Sequence, residues 1–477
     1  MGGAMKAVKF LVNGEWRSSG VKRRVFNPYR TEAVAEVCQA SSDDIDDAIG
    51  AAAEAFDVTR RLSSGERAAL LDSVAESIDK KKAEFARMIT EETGKPISFS
   101  RAEVERSTFV FRTAAEEAKR MYGEVIPLDL LPQGGDRSAL VRRFPLGVVA
   151  GITPFNFPLN LVAHKVAPAM ATGNTVVLKP SSKAPQTALL LGEILCSCGI
   201  APGAVNMVIC EGSEAEQLIT DKRIKLVSFT GSPVVGWGIK VRAGRKKVCL
   251  ELGGNAAVIV APDANLDEAR QKILQGAFGN AGQSCISVQR IFLHESIADA
   301  FIAKFVKMTT SLAVGDPMDD RTVVGPMIDE QAAKRIESWI AEALDGGAEL
   351  LCGGKRKGSF FEPTVLTGVQ PTMKVSCQEA FAPVVTIDRY TDFKEAVASV
   401  NASSFGLQAG VFTNSASDIF TAYRELEVGG VIINDSSAFR VDHMPYGGIK
   451  ESGLGREGVR FAMEEMTEQK LLSINFS

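Results

Sequence analysis

The sequence has little histidine, no block of basic residues and no long apolar run. Its only histidines are His164, His294 and His443, so a cysteine–histidine protease mechanism would have to draw on these three. The net charge of −4 gives no electrostatic reason to expect nucleic acid. No apolar run approaches the roughly 20 residues of a membrane span, and Met1 to Asn13 lacks a signal-peptide pattern. We therefore expect a cytoplasmic protein without a nucleic-acid or membrane partner.

Metal-ligand spacing and the standard dinucleotide fingerprint are also missing. The eight cysteines fit no zinc spacing with histidine partners, and reduced thiols are the expected state in a chain of this size. We therefore expect no metal site. No G-x-G-x-x-G motif occurs in a strand-turn-helix setting, so the usual nucleotide-binding rule gives no support. A cofactor site has to be argued from other residues.

Short apolar runs alternate with helical patterns from Gly147 onward, at Val148–Ile152, Thr175–Leu178 and Leu226–Phe229. This alternation is typical of a parallel, doubly wound α/β sheet. It resumes after Gly254, and 477 residues are too many for one small core, so the sequence predicts a second α/β domain. Ligands bind beyond the carboxyl ends of such strands. The residues that follow these ends are Asn156, Lys179, Ser232 and Glu251.

A cysteine in a run of small and polar residues is the first candidate for chemistry. Cys285 lies within Phe278–Ser287, with Gly279 and Gly282 shortly before it and few side chains large enough to bury it. The pattern favours a nucleophilic thiol on a turn that a substrate can reach. The alternative is a core cysteine, because free cysteine mostly packs as a small hydrophobe.

A carboxylate in apolar sequence is the second candidate. Glu251 ends a strand-like run and stands directly before Leu252 and the glycine pair Gly253–Gly254. An unpaired charge in such a setting is costly, so the pKa of this carboxyl group would rise. A carboxylate tuned in that way acts as a general base near neutral pH. The alternative is a solvated surface glutamate.

Several further motifs accompany these two residues in order along the chain. They are Phe155-Asn156-Phe157-Pro158, Lys179-Pro180-Ser181, Phe229-Thr230-Gly231-Ser232, Glu379-Ala380-Phe381-Ala382-Pro383 and Pro445-Tyr446-Gly447-Gly448. Together they resemble the motifs of the aldehyde dehydrogenase superfamily over nearly the whole chain. The tract Asn434–Arg440 is most similar to the lactaldehyde dehydrogenase branch, near the phosphonoacetaldehyde and non-phosphorylating glyceraldehyde-3-phosphate enzymes. Asn255, Ala257 and Ile286 depart from the commonest pattern, which bears on the substrate more than on the reaction.

The resemblance implies two doubly wound α/β domains and a β-ribbon. Residues 1–122 and 146–252 would form a Rossmann-like dinucleotide-binding domain, and residues 253–433 the catalytic domain. Residues 123–145 and 434–477 would form an oligomerisation ribbon and a C-terminal return to the first domain. Pairing of the ribbon with another subunit would cover its exposed strand edges. An ordinary surface hairpin is the alternative for the ribbon. We expect a homo-oligomer, either a dimer or a tetramer.

The resemblance also assigns catalytic roles. Cys285 would attack an aldehyde as a thiolate, and Asn156 together with the Cys285 N–H would stabilise the oxyanion. After oxidation by NAD or NADP to a thioester, Glu251 would activate the water that releases the acid. From the residues alone, Asn156 is also compatible with a turn before Pro158. A CoA-acylating enzyme and a non-catalytic binding or structural relative are the competing interpretations.

For the cofactor, the resemblance implies a larger set of contacts. Ser232 and its helix would hold the pyrophosphate, whereas Lys179 and Glu379 would hold the adenine and nicotinamide riboses. Ser182 stands where NAD-restricted members often have glutamate, and Lys183 follows it, so the site would permit NADP without excluding NAD. Without the resemblance, Ser232 would be interpreted as a simple helix cap. The complete expected set is Ile152, Thr153, Pro154, Phe155, Lys179, Ser181, Ser182, Gly212, Phe229, Thr230, Gly231, Ser232, Glu251, Leu252, Gly253, Glu379 and Phe381.

Four polar or cationic side chains near the motifs are candidates for holding a hydroxyl or an anionic tail of the substrate. They are Arg112, His164, Arg290 and Arg440. Each of them, taken singly, also fits a structural role. Arg440 is the best candidate because it lies in the tract before Gly447-Gly448. We expect a small hydroxylated or anionic aldehyde such as lactaldehyde as the substrate.

Overall fold

The computed structural model describes residues 7–212 and 214–476. The predictions that include residues 1–6, Ser213 and Ser477 lie outside the described residues at those positions. The helices are α1 Ser42–Thr59, α2 Ser64–Lys80, α3 Lys82–Thr93, α4 Ile97–Lys119, α5 Asn160–Thr172, α6 Pro185–Ser197, α7 Glu216–Thr220, α8 Pro233–Arg242, α9 Leu266–Phe278, α10 Glu295–Thr310, α11 Glu330–Asp345, α12 Lys374–Cys377, α13 Phe393–Asn401, α14 Ala416–Glu425 and α15 Val459–Glu465.

The strands fall into two large sheets and several small ones. They are β1 Ala7–Val8, β2 Phe10–Val12, β3 Glu15–Arg17, β4 Lys22–Phe26, β5 Ala33–Cys38, β6 Glu124–Pro127, β7 Arg137–Pro145, β8 Val148–Ile152, β9 Thr175–Lys179, β10 Val205–Met207, β11 Ile224–Thr230, β12 Lys247–Glu251, β13 Ala257–Val260, β14 Arg290–His294, β15 Glu349–Cys352, β16 Arg356–Lys357, β17 Phe360–Phe361, β18 Thr364–Thr367, β19 Val384–Tyr390, β20 Phe405–Gly406, β21 Gln408–Phe412, β22 Gly430–Ile433, β23 Ile449–Lys450, β24 Gly453–Leu454 and β25 Thr467–Asn475.

The first large sheet places β8 and β11 side by side near its centre. Its order is β24-β12-β11-β8-β9-β10-β2-β3, with β8 to β12 parallel. From β8 the chain first adds β9 and β10 on one side, and then places β11 and β12 on the other. The strand order therefore reverses between β8 and β11, which is where doubly wound sheets bind their ligands. β8 is buried at all five positions, as a parallel strand covered on both faces must be.

The second large sheet has the order β15-β18-β19-β14-β13-β21-β22 and is parallel except for β15. Successive side chains of β13 point to opposite faces. Val258 and Val260 pack into one hydrophobic core, and Ala257 and Ile259 pack into another. Both faces of this sheet are therefore covered. The predicted α/β class with two doubly wound sheets is confirmed, while the domain boundaries given above stay predictions.

The segment after residue 434 returns to the first sheet. β24 runs antiparallel to β12, with Gly453 opposite Glu251. At Gly453, φ is +151° and an added Cβ would collide with the carbonyl oxygen of Leu250, so this close pairing requires glycine. The return brings the residues between β22 and α15 to the carboxyl end of β12.

A separate antiparallel ribbon has the order β25-β7-β6. β25 pairs with β7 over its whole length, from Thr467 opposite Pro145 to Asn475 opposite Arg137. Apolar side chains on the ribbon are exposed in the single chain, including Val125 at 74% and Leu471 at 55%. No helix in the described parts of the chain is both long and apolar enough to cross a membrane.

Candidate active site

A cavity of about 400 Å³ opens at the carboxyl ends of β8, β11 and β12. Loops after these strands, the turn before β14 and the returning C-terminal segment form its walls. Of the residues predicted for catalysis, cofactor or substrate, the structure brings thirteen together here. They are Pro154, Phe155, Asn156, Thr230, Gly231, Ser232, Glu251, Leu252, Gly253, Cys285, Glu379, Phe381 and Arg440.

A turn with left-handed backbone carries Cys285 to the cavity. Asn280, Ala281 and Gly282 have φ of 52°, 54° and 67°, a conformation that non-glycine residues rarely adopt. At Gly282 an added Cβ would collide with the backbone of Ala382, so this position needs glycine. The strained turn after α9 therefore holds the thiol in the wall of the cavity and away from the apolar core.

The Cys285 thiol is partly buried and lies 2.9 Å from the hydroxyl oxygen of Tyr446. Burial raises the pKa of the thiol to about 12, while the hydrogen bond with Tyr446 acts in the opposite direction. The resting group is therefore the thiol and not the thiolate. To act as a nucleophile, it would have to lose its proton before or during the attack.

Glu251 ends β12 as a buried carboxyl group. Neither of its side-chain oxygens has a hydrogen-bond partner among the described residues. Burial, and next the negative charge of Glu457, raise its pKa well above the ordinary value of 4.5. A buried carboxyl group without partners is costly to maintain and is typical of a group that reacts with a ligand or a water molecule.

Asn156 lies in the loop between β8 and α5, and its side chain reaches the same cavity. Its amide nitrogen donates a hydrogen bond to the carbonyl oxygen of Gln283 at 3.1 Å. The amide oxygen is buried without a partner in the described chain. The bond to Gln283 fixes the orientation of the amide and leaves its second N–H available to an oxygen in the cavity.

Buried charges line the side of the cavity next to Tyr446. The Arg440 guanidinium lies 3.7 Å from the centre of the Tyr446 ring and donates to Glu457 at 3.2 Å. Lys165 also donates to Glu457, again at 3.2 Å. Burial would raise the pKa of Glu457, but the cations beside it, first Lys165 and then Arg440, lower it to about 2. Glu457 is therefore ionised and holds both cations in place.

A second carboxylate lies behind this first cluster. Asp442 accepts two hydrogen bonds from the Arg106 guanidinium, at 2.9 and 2.7 Å, and one from Asn160. Its Oδ1 lies 2.9 Å from Nε2 of His164. Burial would raise the pKa of Asp442, but His164 and Arg106 hold it well below its usual range. Burial lowers the pKa of His164, so this histidine serves the ionised Asp442 as a buried, neutral partner.

The opposite part of the cavity contains several of the residues predicted to hold a dinucleotide. Ser232 lines the cavity and precedes α8, and its side chain makes no capping hydrogen bond, so its hydroxyl does not occupy the free N–H groups of the first helical turn. Glu379 accepts a hydrogen bond from the Gly254 N–H at 3.0 Å, and burial raises its pKa to about 7. The rings of Phe155 and Phe381 meet edge to face at 6.0 Å. The contacts of these groups with the pyrophosphate, ribose and nicotinamide stay predictions.

Other predicted cofactor residues lie outside the walls of this cavity. They are Ile152, Thr153, Lys179, Ser181, Ser182, Gly212 and Phe229. Lys179 is the last residue of β9 and pairs with Ile152, the last residue of β8. It therefore lies at the same edge of the sheet as the cavity, on the side away from β11 and β12. The ammonium group of Lys183 forms an ion pair with Asp329. That cation already has a carboxylate partner, which sequence reasoning did not foresee.

Three of the four predicted substrate residues do not line the cavity. Arg112 is an exposed residue of α4. Arg290 is buried and donates to the backbone carbonyl oxygens of Asn255, Ser399 and Val400, which gives its guanidinium a structural role. His164 lies behind Arg440, with its Nε2 3.4 Å from the Arg440 guanidinium and 2.9 Å from Asp442. Arg440 is the member of the set that reaches the cavity.

Tyr446, Arg106 and Glu457 are among the residues that the structure places at the site and to which sequence reasoning assigned no role. Tyr446 was recognised only as part of a motif, and Arg106 and Glu457 carried no signal of their own. Arg106 lies on α4 and Glu457 just before α15, far from Cys285 in sequence. The motif around Tyr446 was the one signal that could have pointed to this group.

Comparisons with known proteins extend the match from the site to the whole chain. A 3-sulfolactaldehyde dehydrogenase of Priestia aryabhattai is 46% identical over 472 residues, covering 99% of this chain and 98% of the relative. The crystal structure of aldehyde dehydrogenase 21 from Physcomitrella patens, in complex with the reaction product succinate, matches with a TM-score of 0.97 at 44% identity. It covers 99% of both chains.

A third comparison concerns the cofactor. The glyceraldehyde-3-phosphate dehydrogenase GapN of Methanocaldococcus jannaschii, complexed with NADP, matches with a TM-score of 0.92 at 41% identity. The match covers 96% of this chain and all of that one.

Agreement over the full fold defines the class of protein, namely the oxidoreductases that oxidise aldehydes with NAD or NADP. The chain belongs to the aldehyde dehydrogenase family, whose sequence model matches residues 16–472. The resemblance inferred from the motifs is confirmed.

Proposed function

We propose that the enzyme oxidises a small aldehyde with an anionic or hydroxylated tail to the carboxylic acid, through a thioester on Cys285. The observation that carries the proposal is one cavity that holds the thiol, an unpartnered buried carboxyl group and, beside Tyr446 and Glu457, the side chains of Arg106 and Arg440. The relative from Priestia is named for a sulfonated hydroxyaldehyde and the Physcomitrella structure contains succinate. Both names support an anionic tail.

The residues of the site divide the chemical work. The Cys285 sulfur forms a bond to the aldehyde carbon as its proton leaves, and the carbonyl electron pair moves to oxygen. The free N–H of Asn156 stabilises that oxyanion. Ser232, Glu379 and Phe381 would hold NAD or NADP, which would supply the two-electron oxidant for the hydrogen of the aldehyde carbon while the oxyanion pair re-forms the carbonyl of the thioester. Glu251 then removes a proton from water, which attacks the thioester and frees the acid and the thiol.

Hydrolysis is preferred over transfer to CoA because of Glu251. A buried carboxyl group with both oxygens free of partners is suited to hold and deprotonate a water molecule. We expect turnover without CoA and a carboxylic acid as the product. Product analysis with and without CoA, on a panel of aldehydes with NAD and NADP, tests this. Formation of an acyl-CoA, or turnover only when CoA is present, would contradict hydrolysis.

The charge at the tail end of the cavity favours one negative group. The cationic side chains are Arg106, Arg440 and Lys165, and the ionised carboxylates facing them are Asp442 and Glu457. His164 is neutral, as argued above. One positive charge therefore has no carboxylate to balance it; Lys165 and Arg440 are shielded from solvent, whereas the Arg106 side chain is 30% exposed. An anionic tail would complete the balance through Arg106 and Arg440.

Arg106→Ala should lower kcat/KM for an anionic aldehyde about 10- to 100-fold, since a hydrogen bond to a charged group contributes roughly 1.5–3 kcal/mol. A neutral aldehyde of the same length should be affected far less. Arg112→Ala is the matched control because it removes an exposed arginine from the same helix. Equal losses for anionic and neutral aldehydes, or a similar loss in the control, would contradict an anion site at Arg106. The same comparison for Arg440→Ala tests the residue that the sequence favoured.

For the cofactor, we propose that both NAD and NADP bind. Ser182 leaves room for a 2′-phosphate, and Lys183 lies nearby in an ion pair with Asp329 that a phosphate can share. Fluorescence titration with NADH and NADPH measures the two affinities without any aldehyde. Binding of NADH alone would show that the ion pair keeps the lysine from the phosphate.

The ribbon is proposed to join copies of this chain. Its outer strands β6 and β25 leave unpaired edges, and Leu471 and Leu472 are 55% and 53% exposed in the single chain. Light scattering should give a mass that is a multiple of 51.0 kDa. Replacing both leucines by glutamate should shift the protein to smaller species, whereas Ser473→Glu on the same strand should not. A monomeric wild-type protein would favour the simple hairpin.

A cytoplasmic location stays a prediction from the sequence.

A further inference from the structure

Tyr446 is fixed against the nucleophile from several directions. Its hydroxyl is the hydrogen-bond partner of the Cys285 sulfur, 2.9 Å away, and its side chain is only 3% exposed. Its backbone exchanges two hydrogen bonds with Glu457, at 3.0 and 2.6 Å. The Arg440 guanidinium covers one face of the ring at 3.7 Å. A phenol held this firmly cannot leave the thiol without moving the charged cluster.

We propose that Tyr446 is a catalytic residue that controls the position and the ionisation of the Cys285 thiol. This rests on the proposed function in taking Cys285 as the nucleophile. The phenol accepts the S–H hydrogen bond while the sulfur is protonated, and it donates its own O–H once the thiolate has formed. A hydroxyl group can do both without any movement of the heavy atoms. A phenylalanine at this position would offer neither bond.

Two features make the phenol a donor to the thiolate and not a base. Burial, followed by the neighbouring Cys285, raises the pKa of Tyr446 well above its ordinary value, so the phenol keeps its proton at neutral pH. The guanidinium over the ring draws electron density from it and strengthens the O–H as a donor. The hydrogen bond then opposes the burial that raises the pKa of the thiol to about 12.

The proton balance of the step is simple. The S–H bond breaks and its proton leaves to water in the cavity, while the sulfur keeps the electron pair. That pair forms the bond to the aldehyde carbon, and the carbonyl pair moves to oxygen. Tyr446 loses no proton and is neither oxidised nor reduced. Its contribution is to stabilise the negative sulfur and to keep it at one place in the cavity.

The test is the pH dependence of Cys285 alkylation by iodoacetamide, without aldehyde or cofactor. Mass spectrometry of the peptide with Cys285 separates it from the other seven cysteines. Loss of a hydrogen bond to a charged group raises the thiol pKa by about one to two units. Part of the effect is offset because a more basic thiolate is a better nucleophile. Tyr446→Phe should therefore slow alkylation about 3- to 15-fold at each pH below the thiol pKa.

Tyr423→Phe is the matched control, because Tyr423 is a 73% exposed residue of α14 outside the cavity. It should leave the alkylation profile unchanged. An unchanged profile in a folded Tyr446→Phe protein would overturn the proposal. A merely structural role would lower activity or stability without shifting the profile, and that result would also overturn it.

A second measurement avoids any loss of packing. Incorporation of 3-fluorotyrosine at the five tyrosines makes each phenol more acidic and a stronger donor, so alkylation of Cys285 should become faster at neutral pH. The increase should vanish when Tyr446→Phe carries the same label. A persistent increase would assign the effect to another tyrosine and overturn the proposal. Neither measurement uses a substrate, so failure of the substrate assignment would leave both outcomes readable.

Discussion

Replacing Cys285 by alanine should abolish aldehyde oxidation. The reaction then loses the atom that forms the covalent bond to the substrate, and no other thiol lines the cavity among the described residues. Removal of a catalytic nucleophile typically lowers turnover by about 10⁴-fold or more. The measurement is the rate of reduced cofactor formation at saturating aldehyde, with NAD and with NADP. The variant should still bind NADH or NADPH, because the cofactor contacts lie on other residues.

Cys249→Ala is the control for this experiment. Cys249 is a buried residue of β12, two positions before Glu251, and it does not line the cavity. Its replacement removes a thiol of similar size from the same neighbourhood but not the nucleophile, so most of the activity should remain. Full turnover by Cys285→Ala, or equal loss in the two variants, would remove the basis of the mechanism.

The sequence was informative where a function depends on local residues. The run of small residues around Cys285 predicted an accessible thiol, and the structure explains it by three left-handed residues in the turn before it. The apolar run before Glu251 predicted a buried carboxyl group with a raised pKa, and both features are present. Several central strands of the two sheets, including β8, β9 and β11, were recognisable because parallel strands covered on two faces are largely apolar.

The parts of the site that the sequence did not predict depend on distant contacts. Arg106 and Asp442 are 336 positions apart and form a bidentate pair. Lys183 was offered to the cofactor phosphate, yet it pairs with Asp329, 146 positions away. Arg290 was counted among the substrate residues, but three backbone carbonyl oxygens take up its donors. The charge of a residue and its nearness to a motif in the sequence cannot show which partner its long side chain will contact in the folded protein.

These distant contacts also link the ends of the cavity. Arg440 touches Tyr446, which is bonded to Cys285, and it also pairs with Glu457. An anionic tail bound to Arg440 would draw the guanidinium away from Glu457 and alter the charge felt by the Tyr446 ring. The tail group and the nucleophile are therefore coupled through two side chains. A substrate with the right charge would affect kcat as well as KM, since it acts on the reacting sulfur.

Glu251→Gln should stop the enzyme after acyl transfer to Cys285. Glutamine has nearly the same volume as glutamate but cannot remove a proton from water, and a general base typically contributes about 10²- to 10⁴-fold. We expect a rapid burst of about one reduced cofactor per chain, followed by turnover slower by that factor. Hydroxylamine, an external nucleophile that needs no base, should restore turnover by cleaving the thioester.

The pH dependence separates this role from a structural one. Because burial raises the pKa of Glu251 well above 4.5, the carboxyl group is protonated and inactive as a base at pH values below that raised pKa. Hydrolysis of the thioester by the wild-type enzyme should therefore accelerate as pH rises through it, and this rise should be missing in Glu251→Gln. Glu451→Gln, at an exposed position outside the cavity, should keep the wild-type profile. If the Glu251→Gln variant showed no burst, or retained the wild-type pH profile, the base would have to be another group and the choice of water over CoA would lose its support.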